Sequence, residues 1–279
     1  MLSLGDAIIK TLSSNLVLWQ IFVLRSLVAI PLLYVIVRAR YKDIKFSPLA
    51  IKWTVARSIM LVLMWVFYYL SLPHLQLSVA AASYYTLPIF ITIFSALLVR
   101  KPISTLGWIA VLLGFIGTLL IIKPVPSEFN AYALLPLVSA MLYALAMILT
   151  RTKCRNENPL VLSMALNVTF ITVGLIATVL GQLFFNNENP SSFISTRWTA
   201  MGLNEVLAIG LLGIAILVAS IGTAFAYQNG KSSTIATFDF SYVGFAVIWG
   251  ALFFSELPDA LSLCGMCLIV VAGIMAVRE

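Results

Sequence analysis

Charge is sparse in this 279-residue sequence, and it is missing altogether from long tracts. No Asp, Glu, Lys or Arg occurs between Arg57 and Arg100, and five further charge-free runs cover 102–122, 129–150, 158–187, 206–230 and 260–277. That excludes a water-soluble core. Soluble domains carry roughly 25% charged and about 45–50% apolar residues, against 10% and 62% here. One histidine and three cysteines leave no metal ligand set and no disulfide framework. No glycine-rich phosphate loop and no nucleophile beside a base is present, so neither enzyme chemistry nor a cofactor is expected. Cys264-Gly-Met-Cys267 has the spacing of a redox pair, but in an apolar run these thiols read as small buried hydrophobes.

What remains is a chain built for a bilayer, where each run of about 20 apolar residues must close its own backbone hydrogen bonds as a helix. The pattern predicts ten helices, near 1–12, 17–38, 52–72, 77–99, 104–122, 130–151, 159–184, 205–229, 233–255 and 259–277. The long first run is divided at Ser71-Leu72-Pro73-His74-Leu75-Gln76, where proline and polar residues turn the chain. Residues 185–204, with Asn186, Asn187, Asn189, Pro190, Ser191 and Ser192, have the composition of a solvated loop. The first helix has about half the length a span needs. It reads either as the remainder of a longer helix or as a half-helix propped by its neighbours, and it lacks the basic start and cleavage site of a signal peptide.

Orientation follows from Lys and Arg. With the amino terminus inside, thirteen of the seventeen basic residues fall on the cytoplasmic side, only Lys10, Lys123 and Arg197 fall outside, and Arg25 lies within a span. The net charge of +7 is thus an insertion signal and not a nucleic-acid footprint. The fold class expected is an all-α polytopic membrane protein with both termini cytoplasmic.

An internal repeat is visible. Leu98-Val99-Arg100-Lys101-Pro102, followed by Gly114 and Gly117, recurs as Phe254-Ser255-Glu256-Leu257-Pro258, followed by Gly273. Arg100 and Glu256 stand 156 residues apart, as do Gly117 and Gly273, so the fourth and fifth helices correspond to the ninth and tenth. A unit of five helices repeated in tandem enters the membrane from opposite sides, which gives inverted halves of the kind found in alternating-access transporters. The halves expected are 1–125 and 126–279.

The sequence resembles the drug/metabolite transporter superfamily, in particular its EamA-type members. The likeness rests on Gly5-Asp6-Ala7 and Lys10, on Phe22-Val23-Leu24-Arg25, and on Arg57 and Pro88. It extends to Trp108 through Gly117 with Lys123-Pro124, and to the Glu256-Leu257-Pro258 junction. Arg100 stands where that family usually has an acidic residue, and the family's first helix is longer. The resemblance implies ten helices in two inverted repeats around a central cavity, carrying a small metabolite across a bacterial inner membrane; monomer and homodimer are both open. It also makes import of a planar or cationic nutrient, S-adenosylmethionine-like or riboflavin-like, an alternative to export of a metabolite. A membrane scaffold or intramembrane enzyme is the reading outside this class.

Ionisable groups inside spans mark candidate function. Asp6 and Arg25 fall roughly 9 and 12 Å deep on adjacent helices at about 1.5 Å per residue, and are expected to pair. Asp239, between Phe238 and Phe240, needs a partner that Arg57 could supply; otherwise burial suits it to proton carriage or to a cationic cargo. Under the 156-residue spacing Ser83, Tyr84 and Tyr85 match Asp239, Phe240 and Ser241. Tyr84, Tyr85 and Phe240, together with Trp65, Tyr68, Phe225 and Tyr227, could stack a ring or hold a cation. Pro31 and Pro88 are expected to kink their helices.

Overall fold

A computed structural model describes residues 2–40, 48–99, 104–123, 130–155, 157–184, 193–229 and 241–277, and among these the only regular elements are helices. In chain order they are α1 (Leu2–Leu12), α2 (Leu18–Arg40), α3 (Pro48–Ser71), α4 (Leu77–Tyr84), α5 (Leu87–Val99) and α6 (Thr105–Ile122). After a single 3-10 turn at Ala131–Ala133 come α7 (Leu134–Lys153), α8 (Pro159–Phe184), α9 (Leu203–Asn229), α10 (Ser241–Phe254) and α11 (Ala260–Val277). Six helical stretches among the described residues are long and apolar enough to cross a membrane, and three shorter apolar helices follow within α9, α10 and α11. The chain is a multi-pass membrane protein.

The fourth predicted helix is two helices, α4 and α5, separated at Tyr85 and Thr86. Pro88 is the cause. It has no amide hydrogen to return to the Tyr84 carbonyl, and its ring opposes a helical turn behind it. The chain therefore ends one helix at Tyr84 and restarts with Pro88 in the first turn of the next, where proline is tolerated. Thr86 stitches the gap: its backbone N–H and its hydroxyl both donate to the Ser83 carbonyl, at 3.3 and 2.7 Å, and its own carbonyl accepts from Ile89 and Phe90. Pro31, in contrast, lies inside an unbroken α2.

The fold divides into two compact units, one of Met1–Val62 with Leu149–Ala224, the other of Leu63–Ile148 with Phe225–Glu279. In the first unit α2 packs along α8, and Gly174 allows it: a methyl there would stand 2.8 Å from Val23 Cγ2 and 3.1 Å from the Trp19 carbonyl oxygen. Gly5 of α1 faces Leu212 of α9.

The described part of the 185–204 connection is a mostly exposed loop, as its composition suggests, and it is tied to the start of α2. Phe193 O accepts from Leu18 N–H at 2.9 Å and Ile194 O from Trp19 Nε1 at 3.2 Å. The buried Gln20 amide both accepts from and donates to the backbone of Thr199, at 3.1 and 3.0 Å. Glu205 then caps α9 by accepting from Gly202 N–H while also binding Asn15.

In the second unit α4 packs on α10, and α6 runs along α11 in the closest helix contact of the chain's described part. Ala82, Ile121, Val243, Met266 and Ile269 are buried together there. Gly117 and Gly265 oppose one another: a methyl on Gly117 would lie 2.8 Å from the Gly265 carbonyl oxygen, and one on Gly265 would lie 2.6 Å from that of Gly117. Small residues make such approach possible where lipid gives helices no hydrophobic reason to associate. Cys264 and Cys267, one turn apart on α11, are exposed and not buried as expected, because that helix is apolar on every side and turns this face outward. An apolar groove of about 420 Å³ beside them, between Val243, Val247, Leu263 and Val270, offers a solute almost no polar contact.

Lys123, in the left-handed region at φ 47° as it ends α6, reaches Asp259 at 3.0 Å. The Ser262 hydroxyl and the Lys123 ammonium hold the Asp259 carboxyl down, from 3.8 to about 2.

Two outcomes follow. Gly117→Ala and Gly265→Ala should each lower the melting temperature in detergent, at a cost of about 1–3 kcal/mol, while Gly210→Ala, which meets nothing within 4 Å, should leave it level or raise it slightly. Asp259→Asn should weaken the protein at pH 7 by no more than about 1 kcal/mol, since the pair is open to solvent. The folded-state carboxyl is the stronger acid, so its stabilisation is complete at neutral pH and declines as pH falls from 3.8 toward 2. The melting difference between variant and wild type should shrink over that interval, and also in about 1 M salt.

Candidate functional site

Seven aromatic side chains converge in the second unit. Trp65, Tyr68 and Tyr69 come from α3, Tyr84 and Tyr85 from the break after α4, Tyr143 from α7 and Tyr242 from the first turn of α10. Tyr84 is the hub: its ring centre lies 5.2 Å from Tyr68, 5.9 Å from Tyr85 and 5.9 Å from Tyr143. Tyr85 stacks on Tyr242 at 4.9 Å with the planes inclined by 25°, and the hydroxyls of Tyr68 and Tyr242 are hydrogen-bonded at 3.0 Å. Trp65 leans on Tyr69 at 4.8 Å. Tyr68 and Tyr69 are buried, whereas Trp65, Tyr84, Tyr85, Tyr143 and Tyr242 keep part of their surface open.

Tyr84 and Tyr85, which diverge by about 100° as consecutive helical residues do, take different partners: Tyr84 meets Tyr68 and Tyr143, and Tyr85 meets Tyr242. The Ser83 hydroxyl, fully buried in the same turn, has no hydrogen-bond partner among the described residues. Ring faces, phenol hydroxyls and a buried serine together suit a ring-bearing or cationic solute: faces for stacking or cation–π attraction, hydroxyls to set orientation. Tyr69 and Tyr143 were not singled out from the sequence, although each had a signal. Tyr69 lies one turn from Trp65 on the same helix face, and Tyr143 is a phenol in mid-span, where its hydroxyl needs a partner.

The other candidates lie elsewhere. Asp6 and Arg25 are both buried in the first unit, at 2% and 4% exposure. The Arg25 guanidinium lies 4.1 Å from the Phe170 ring centre and 5.2 Å from that of Phe22, so two aromatic faces on α8 and α2 hold its charge. Arg57, also in that unit, donates through Nε to the Thr150 hydroxyl at 2.7 Å. Beyond it, burial pushes the Cys154 thiol up, opposed by a Thr54 hydrogen bond and by the Arg57 charge. The ammoniums of Lys52 and Lys153 lie 5.6 and 5.4 Å from the Trp53 ring centre. Asp239 and Phe240 fall outside the described residues, as do the side chains of Phe225 and Tyr227.

Residues 1–123 match the EamA-like transporter family. The whole chain is similar to the pseudopaline exporter CntI of Pseudomonas aeruginosa, with 27% identity over 277 residues, covering 99% of this chain and 92% of that protein. A riboflavin transporter of Vibrio cholerae is 26% identical over 187 residues, 67% of this chain and 58% of the relative. A protein of known crystal structure shares the fold, with a TM-score of 0.61 at 17% identity, covering 98% of this chain and 94% of that one. The matched family and both of these curated relatives are transporters by name, in keeping with the multi-pass architecture.

The hydroxyl bond between Tyr68 and Tyr242 gives a direct test of the cluster's coherence. Tyr68→Phe and Tyr242→Phe should each cost about 1 kcal/mol, and the double variant no more than either alone, measured as a double-mutant cycle on thermal stability.

Proposed function

We propose that the protein is a secondary transporter that moves a small metabolite across a bacterial inner membrane by alternating access, with both termini cytoplasmic. Its architecture in this reading is ten spanning helices in two inverted repeats, 1–125 and 126–279. The helix partnerships support that symmetry. The second predicted helix packs on the seventh (α2 with α8), the fourth on the ninth (α4 with α10), and the fifth on the tenth (α6 with α11). The remaining contacts follow the same rule: α1 meets α9 at Gly5 and Leu212, and α3 meets α7 where the Ser139 hydroxyl donates to the Met64 carbonyl at 2.9 Å. An operation exchanging the halves carries a first-with-eighth contact into a sixth-with-third one.

The observation that carries the solute assignment is the tyrosine cluster, which includes Tyr84 and Tyr85 and suits a planar, ring-bearing solute. The riboflavin transporters among the relatives favour the same chemistry. The near full-length likeness to an exporter favours a second reading, outward movement of a solute of the kind that exporter is named for. The sequence names Asp6, Arg25, Arg57, Phe240 and Asp239 as further candidates for handling solute or protons, with Asp239 as the proton carrier to be tested.

The test is flux in proteoliposomes, with riboflavin as probe, with and without a pH gradient and in both directions. Tyr84→Ala and Tyr85→Ala should each lower riboflavin affinity by up to about tenfold, the range of a contact of about 0.5–1.5 kcal/mol. Asp239→Asn should abolish the gradient's effect while leaving exchange at zero gradient intact. Riboflavin flux equal to that of empty liposomes removes the ring-bearing solute from the reading, and gradient-driven flux that survives Asp239→Asn removes the proton role.

A further inference from the structure

The short helix that brings Tyr84 and Tyr85 to the cluster has no cap of its own. Its N-cap residue, Gln76, makes no side-chain bond to the first turn. The carboxylate of Glu256, 179 residues further along the chain, does so instead: Oε2 accepts the Leu77 N–H at 3.0 Å, and the Gln76 amide reaches the Leu257 carbonyl at 3.5 Å. A carboxylate at that end satisfies one of the orphan amides and faces the positive end of the helix dipole.

The backbone is bent to deliver it. α10 stops at Phe254, Ser255 enters the left-handed region at φ 53°, and the Glu256 N–H folds back to the Gly250 carbonyl at 3.0 Å. A non-glycine residue in that region costs about 1–2 kcal/mol. Gly250 leaves room for the approach, since a side chain there would begin 3.8 Å from Leu77 Cβ. The antiparallel pair α4 and α10 is thus pinned at both ends, by Glu256 on Leu77 at one and by Tyr85 stacked on Tyr242 at the other. The eight residue steps from Leu77 to Tyr85 span about 12 Å.

We propose that Glu256 is a positioning residue for the tyrosine site: by capping the amino end of α4 from the α10–α11 loop, it fixes where Tyr84 and Tyr85 stand. This rests on the reading of the cluster as the solute site. The repeat adds a reason to single it out, since the equivalent position in the first half is Arg100, which can offer no acceptor.

The test needs no solute. Full-length protein carrying 3-fluorotyrosine reports each ring by ¹⁹F NMR, with resonances assigned by Tyr→Phe variants. Glu256→Ala should remove the ring-current shift that stacking gives Tyr85 and Tyr242 and should move Tyr84, while Tyr34 on α2 stays in place. Glu256→Gln keeps an acceptor for the Leu77 N–H and should restore the wild-type positions. Asp259→Asn, which loosens the same loop from α6 instead, should leave all three signals where they are. Unmoved Tyr85 and Tyr242 signals in Glu256→Ala overturn the proposal, as does a shift of Tyr34 of equal size, or a Gln variant that behaves like Ala. If Glu256→Ala does not fold, Leu77→Pro removes the same N–H from the donor side, and Gln76 at φ −60° and ψ 141° already suits a residue before proline; unmoved signals there count equally against it. Because the rings report position whether or not riboflavin is carried, a failed flux assay and a failed positioning role are read separately.

Discussion

At membrane depth no water stands ready to bond a stray amide or carbonyl, and everything else in this molecule follows from that. Helices are obligatory, and wherever one is interrupted the chain must supply its own partners. The break between α4 and α5 shows how. Pro88 removes an amide, Thr86 answers with two bonds to Ser83 and a doubly used carbonyl, and the beginning of α4 takes its acceptor from a loop far along the sequence. A chain that only had to cross would have no use for this arrangement. Here the interruption follows directly on two consecutive tyrosines of one group of rings, so helical regularity fails beside aromatic faces and hydroxyls.

Helix positions were legible because charge, proline and length decide them: α2, α3, α6, α7, α8 and α9 all begin and end within four residues of the expected helices. The break at Tyr85 was not, because a proline in the first turn of a new helix and a proline kinking an old one look alike in sequence. The attachment of the 193–202 loop to α2 was not legible for a related reason. Its Ser, Thr and Trp residues advertise hydrogen-bonding capacity but not the partner, and the partner proved to be Gln20 and its neighbours on α2, which no local pattern announces. Cys264 and Cys267 were assigned inward because apolar residues usually are. A helix apolar all round does not encode which face meets lipid, and that was decided by Gly265 turning toward α6. Of the site, Trp65, Tyr68, Tyr84 and Tyr85 were readable as rings at similar depth, while Tyr69 and Tyr143 joined only through the packing of α3 and α7.

The helix partnerships carry a mechanical meaning. Each compact unit takes helices from the early and the late part of the sequence, and its most extensive contacts, α2 with α8 and α6 with α11, join helices far apart along the chain. In the unit that holds the rings, the Gly117–Gly265 contact is backbone against backbone, with no side chains between to yield. Such an interface slides poorly, whereas the α4–α10 pair touches through side chains and one carboxylate, and can shift by rotamer changes. Rigid and adjustable elements thus sit side by side around the tyrosines, as a carrier requires if it is to hold its shape while its solute comes and goes.

Trp65 stands 4.8 Å from Tyr69 and 6.0 Å from Tyr68, so ultraviolet energy absorbed by those phenols is handed to a single indole before it can be emitted. The protein therefore carries its own optical gauge. A coloured molecule lodged among these rings would drain that glow, and the dimming would measure occupancy without any label having been attached.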